Sequence, residues 1–197
     1  MSTIIFSAIA SLDGYTADAS GLFDWAAPDE EVHAFINDLQ RGVGTYLYGR
    51  RMYETMRVWQ TMPEGPDEPE VIADFADIWR AADKIVYSST LADASTPRTR
   101  VLDRFDPDAL HELRESSDRD IGIGGPTLAA EAFRAGLIDE VQLFLVPIAV
   151  GGGTPAFPRD TVVPLELLDE HRFAGGTVYL RYRVGRNSRA PHALAQA

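Results

Sequence analysis

Ile121-Gly122-Ile123-Gly124-Gly125-Pro126-Thr127-Leu128 sets a short β-branched run, two adjacent glycines and a proline side by side. Such an order reads as a strand that ends in glycine and turns at once into a helix with proline in its first turn. A junction of this kind points several free backbone N–H groups, and the positive end of a helix, at one spot. Tyr46-Leu47-Tyr48-Gly49-Arg50-Arg51-Met52-Tyr53-Glu54 repeats the design and adds two arginines. Val86-Tyr87-Ser88-Ser89-Thr90 is a softer version, ending a strand in three hydroxyls. A single glycine after a strand closes a turn about as readily as it cradles a ligand, and Arg50-Arg51 also suits a solvated face. At the carboxyl ends of strands in one sheet, however, the three junctions line a common crevice.

Outward from these junctions, strands alternate with helices. Residues 4–10, 44–48, 84–88, 98–102, 120–123 and 140–149 are apolar, β-branched runs expected as strands. Val32, Phe35, Ile36 and Leu39 keep the spacing of one helical face after Pro28-Asp29. Residues 74–82, 107–114 and 127–135 supply three more helices, with Asp106 as an N-cap and Gly136 as a stop. Helices between strands imply a mainly parallel sheet covered on both faces. Residues 165–173 and 177–184 alternate in polarity and are joined through Gly175-Gly176, so an antiparallel hairpin closes the sheet. The stretch 63–69, with three prolines and three acids, reads as a surface loop, and 187–197 as a loose tail. The expectation is one α/β domain over residues 1–186.

Composition narrows the function. A chain of 197 residues buries roughly 70% of its unfolded surface, enough for a full core. Thirty acids against eighteen bases leave a net charge of −12, which repels nucleic acid and anionic membranes. The strongest apolar run, 141–150, is interrupted by Gln142 and Pro147 and is far short of a membrane span. With no cysteine and no basic-then-apolar leader, a cytoplasmic location is expected. Lys84 is the only lysine and follows Asp83, so there is no P-loop. His33, His111, His171 and His192 lack metal-ligand spacing, and no Gly-x-Ser-x-Gly elbow is present. Gly122-x-Gly124-x-x-Thr127 lacks the last glycine of a dinucleotide fingerprint, and Gly151-Gly152-Gly153 suits a flexible turn better than a phosphate loop.

Taken in order, the motifs resemble a known family. Ser11-Leu12-Asp13-Gly14-Tyr15, Gly49-Arg50-Arg51-Met52-Tyr53-Glu54, Ile123-Gly124-Gly125-Pro126-Thr127-Leu128, Gly136-Leu137-Ile138-Asp139-Glu140 and Gly151-Gly152-Gly153-Thr154-Pro155-Ala156-Phe157 look like those of the dihydrofolate reductase fold. The branch is the one holding the reductase domain of the bifunctional riboflavin-biosynthesis enzyme, and the likeness spans roughly residues 3–185. It implies a three-layer α/β fold, a homodimer through the C-terminal strands, and an NADPH-dependent reductase acting on a small heteroaromatic or carbonyl substrate.

By that resemblance Gly49, Arg50, Arg51 and Met52 meet the cofactor's phosphates, with either arginine pairing the 2′-phosphate. Ser88 and Ser89 match the strand end near the adenosine ribose, and Gly124, Gly125, Pro126, Thr127 and Leu128 the turn against the pyrophosphate. Ala8 and the loop 13–17, with Asp13 and Gly14, correspond to the wall near the nicotinamide. A carboxylate starting the first helix would support protonation of the substrate from an apolar pocket. Counting from Trp25 selects Glu30 for this, counting back from Phe35 selects Glu31, and Asp29 reads as the N-cap. All three acids equally suit the positive end of a helix. Trp25, Phe35 and Trp59 suggest an apolar cleft, and no second phosphate site is evident for a ribityl phosphate substrate. Two further readings share the fold: a nucleotide- or pterin-binding protein without turnover, and a protein-interaction module.

Overall fold

The computed structural model describes residues 2–62 and 69–185. The loop expected at 63–69, apart from Pro69, and the tail expected at 187–197 lie outside the described residues. Along the chain run β1 (Ile4–Ser11), β2 (Tyr15–Ala17), a 3-10 turn (Asp24–Ala26), α1 (Glu30–Gln40), β3 (Val43–Gly49) and α2 (Arg50–Met56). A second 3-10 turn (Arg57–Gln60), α3 (Glu70–Ala81), β4 (Asp83–Tyr87), β5 (Thr99–Leu102) and α4 (Pro107–Ser116) follow. The rest comprises β6 (Asp120–Gly124), α5 (Pro126–Arg134), β7 (Glu140–Val146), β8 (Thr154–Pro155), β9 (Leu165–Arg172) and β10 (Val178–Val184).

Eight strands make one sheet in the order β5-β4-β3-β6-β1-β7-β10-β9. Its first six strands are parallel to one another, and β10 pairs antiparallel with both β7 and β9. This is the α/β architecture expected, with its antiparallel end.

Strand alternation explains the layers. Ile4, Phe6, Leu47, Ile85, Ile121 and Ile123 point to one face and meet Leu110 of α4 and Leu128, Ala129, Ala132 and Phe133 of α5. Their neighbours Tyr46, Tyr48 and Val86 point to the other face, against Tyr53 of α2 and Phe75 and Trp79 of α3. Val32 of α1 joins Phe144, Phe173 and Tyr179 on that same side. Asp29 caps α1 as anticipated, its carboxylate accepting the Val32 N–H at 2.9 Å.

Two departures from expectation have local causes. The strand expected over 140–149 stops at Val146 because Pro147 has no N–H for the ladder, and Ile148 N–H turns back to the Val146 carbonyl at 2.8 Å. The released chain then forms β8, which pairs with β2 as a separate two-stranded ribbon. Gly153 lies so close to this ribbon that a Cβ there would collide with the Ala17 carbonyl oxygen. Gly153 is therefore a packed joint, whereas a Cβ on Gly151 or Gly152 would meet nothing within 4 Å.

Lys84 is 1% exposed and faces α3. Its ammonium donates to the Trp79 carbonyl at 3.1 Å and lies 4.2 Å from the Trp79 ring centroid. Burial pulls its pKa down to about 8, against ~10.4 in an unfolded chain. Between those values the unfolded chain holds the proton more tightly, so stability rises with pH across the window. Denaturant unfolding from about pH 8 to 10.4 should show wild type gaining roughly 3 kcal/mol relative to Lys84→Met. Parallel pH curves for the two proteins would refute the assignment.

Candidate functional site

β3 and β6 lie side by side, with Tyr48 in register with Gly124, so their carboxyl ends open at one place. From there α2 leaves over one face of the sheet and α5 over the other. Gly125 has φ +91°, a conformation that favours glycine, and caps α5 with Pro126 in the first turn. Side chains are excluded here. A Cβ on Gly124 would stand 2.6 Å from the Tyr48 ring, and one on Gly125 would stand 3.2 Å from Met52 Cβ. Gly49 is the contrast: a Cβ on it meets nothing within 4 Å, so this glycine fronts open space. The turn at Gly124-Gly125 thus packs on Met52 of α2, and the two helix starts form one notch.

Arg50 and Arg51 are both exposed at this notch. Arg50 donates from Nε to Glu54 Oε1 and from Nη1 to Thr90 Oγ1, each at 2.8 Å. Thr127 is exposed, whereas the Leu128 side chain is buried in the core, leaving only its backbone for the notch. Ser88 and Ser89 part company. The Ser88 hydroxyl accepts the N–H groups of Thr90 at 3.2 Å and Leu91 at 3.0 Å, tying the turn after β4, while Ser89 is exposed.

On the other side of β6, Ala8 is half-buried in β1 beside the core, and β1 ends in the loop carrying Asp13 and Gly14. Asp13 is a clasp. Its carboxylate accepts the Val150 N–H at 3.1 Å and the Gly151 N–H at 2.7 Å, while the Gly14 carbonyl accepts the Ala156 N–H at 2.9 Å. The Ser11 hydroxyl, with those backbone N–H groups, holds the Asp13 carboxyl below the usual carboxylate range.

The enclosed carboxylate expected on α1 is not formed. Glu30 and Glu31, both in the first turn of α1, are exposed. Glu31 accepts the Ala174 N–H at 3.1 Å and pins the turn between β9 and β10. The aromatic cleft is corrected as well. Phe35 packs among Phe144, Phe173 and Tyr179, and Trp59 packs on His33 and Phe75, so these two partly buried rings lie against separate core clusters and do not face each other across one cleft. Trp25 is half-buried, with its indole N–H enclosed and without a hydrogen-bond partner among the described residues.

Beside the start of α5 lies a cavity of about 390 Å³ that the sequence did not reveal. Thr127 and Arg134 line one side and Thr154, Phe157 and Arg159 the other, while Asp160 pairs with Arg134 at 3.2 Å. Its walls come from two segments far apart in the chain, which no local spacing announces. The only cue was the Phe157 region of the final glycine-rich motif.

Comparison with known proteins gives this arrangement its context. A family model described as the RibD C-terminal domain matches residues 2–179. The uncharacterized protein YyaP of Bacillus subtilis (strain 168) is 25% identical over 182 residues, covering 91% of this chain and 93% of YyaP. Among solved structures, a pyrimidine reductase-like protein from Corynebacterium diphtheriae superposes with a TM-score of 0.66 at 19% identity, covering 94% of this chain and 93% of that one. A diaminohydroxyphosphoribosylaminopyrimidine deaminase/5-amino-6-(5-phosphoribosylamino)uracil reductase from Thermotoga maritima gives 0.62 at 14% identity, over 93% of this chain and 57% of that one. At these identities the structural likeness establishes the fold.

Proposed function

The chain belongs to the RibD C-terminal domain family, and on that premise we propose that it is an NADPH-dependent reductase of a small heteroaromatic or carbonyl substrate. The observation that carries the proposal is the junction of α2 and α5, where Gly49 fronts open space beside the Gly124-Gly125 turn, whose glycines let it pack closely on Tyr48 and Met52. A pyrophosphate needs such bare backbone, and Arg50 and Arg51 supply positive charge there on a chain that is otherwise acidic. The residues present fit the cofactor.

When bound, NADPH supplies the hydride; the chain supplies binding and orientation. Gly49, Gly124, Gly125 and Thr127 receive the phosphates, and Arg50 and Arg51 the 2′-phosphate. Ser88 shapes the turn at the adenosine end, with Ser89 beside it. Ala8 and the Asp13 clasp would form the wall on the nicotinamide side. Glu30 and Glu31, at the rim, pass a proton through water to the substrate. Their exposure also favours a second reading, a dinucleotide-binding protein without turnover.

The test is a titration of tryptophan fluorescence with NADPH and, separately, NADH. NADPH should bind clearly tighter than NADH. Arg50→Ala should weaken NADPH by about 1–3 kcal/mol and leave NADH nearly unchanged. Equal losses for both would remove the 2′-phosphate argument, and absence of binding would remove the reductase reading.

A further inference from the structure

We propose that Glu54 sets the preference of this site between NADPH and NADH, because its carboxylate rests on the guanidinium that a 2′-phosphate would use. The inference rests on the cofactor reading above and assigns one residue to its specificity.

The geometry is specific to one charge pair. Arg50 is held from two sides, by Glu54 within α2 and by Thr90 in the turn after β4. Thr90 is in turn fixed through its N–H to Ser88 Oγ. The guanidinium is therefore parked between the ends of β3 and β4 before any ligand arrives. The pair is about half exposed, at 51% for Arg50 and 42% for Glu54, so solvent screens it and a stronger anion can displace it. No ion pair joins Arg51 or Arg57 to another described residue, and both add their positive fields around Glu54. Glu54 is the one acid among these three arginines between residues 50 and 57.

A dianionic 2′-phosphate reaching Arg50 must share the guanidinium with Glu54 or push the carboxylate aside. The ribose hydroxyl of NADH carries no charge and meets no such opposition. Glu54 thus lowers affinity for NADPH selectively, and narrows the margin that the arginines create. Glutamine in its place keeps an oxygen that accepts from Arg50 Nε and removes only the charge. In water-like screening, removing one carboxylate charge from beside a dianion that shares the same guanidinium corresponds to roughly a tenfold change in Kd.

The full chain, wild type and Glu54→Gln, should be titrated with NADPH and with NADH at low and at high salt. The expected result is NADPH tightened about tenfold at low salt, NADH unchanged within about twofold, and the difference largely lost near 1 M salt. NADPH affinity that is unchanged or weaker in the variant overturns the proposal, as does an equal gain for both dinucleotides, which a merely structural role would give. Wild type that binds NADPH without this response sinks the Glu54 assignment alone; wild type that binds neither dinucleotide takes the cofactor reading down with it.

Discussion

Gly124→Ala should lower the melting temperature by several degrees, whereas Gly49→Ser should leave it in place and weaken NADPH binding at least tenfold. Both positions are glycines that end a strand and open a helix, yet their surroundings are opposite. A methyl group on Gly124 would enter the Tyr48 ring, which is 2% exposed. That ring cannot swing away: it stacks on Tyr46 at 5.7 Å between centroids, and its hydroxyl accepts the Trp79 indole N–H at 3.2 Å. Overpacking of this sort costs about 1–3 kcal/mol, and for a domain of this size each kcal/mol moves Tm by roughly 2–4 °C. Gly49 has φ −77° and ψ 164°, ordinary extended backbone for any residue, and its added Cβ meets no atom. Serine there gains a hydroxyl able to cap α2, so folding does not suffer. Its side chain instead occupies the space the phosphates need. Calorimetry and the dinucleotide titration check the pair. A serine variant that binds NADPH normally would show that the open space at Gly49 is not the cradle.

How far this could be seen in the sequence differs from residue to residue. Gly124-Gly125-Pro126 announced its turn because backbone sterics are local: a positive φ and a ring-closed φ leave few alternatives. The α/β layering was legible for a similar reason, since Tyr46 and Tyr48 alternate with Leu47 and each parity found its own core. Side-chain roles were less legible, because they depend on partners distant in the chain. Asp13 belongs to a motif near the expected nicotinamide wall, but its partners Val150 and Gly151 lie well over a hundred residues away. Ser88 was expected near a ribose, and its hydroxyl is engaged by the turn it begins. Phe35 and Trp59 were expected to line a cleft. Apolar spacing reports that a ring packs inward but not against what, and here Phe35 and Trp59 lie partly buried against two different core clusters. The same limit hid the cavity between α5 and residues 154–160.

Glu30→Gln combined with Glu31→Gln should lower reduction by about 10²–10⁴-fold while leaving NADPH affinity within about twofold. α1 runs back along the sheet, so its first turn sits at the same carboxyl edge as the end of β1 and the Asp13 loop. The turn between β9 and β10 is drawn to this point by Glu31, and a Cβ on Gly176 in that turn would touch Pro147 at 3.4 Å. The rim is therefore tied down at Glu31, with Glu30 beside it, although neither acid is enclosed. An exposed carboxyl reaches a substrate heteroatom through water, and glutamine in its place keeps size and hydrogen bonding but cannot exchange a proton. The amide oxygen introduced by Glu31→Gln would still accept from the Ala174 N–H, so the turn and the rim should persist, which thermal unfolding of the double variant verifies. Loss of NADPH absorbance with pterins, flavin precursors and carbonyl compounds measures turnover. Full activity in the double variant would withdraw the proton-relay role from both residues. Loss of turnover with NADPH binding intact would place the chemistry at the start of α1, and the two single variants would then divide it between Glu30 and Glu31, the second of which also holds the turn.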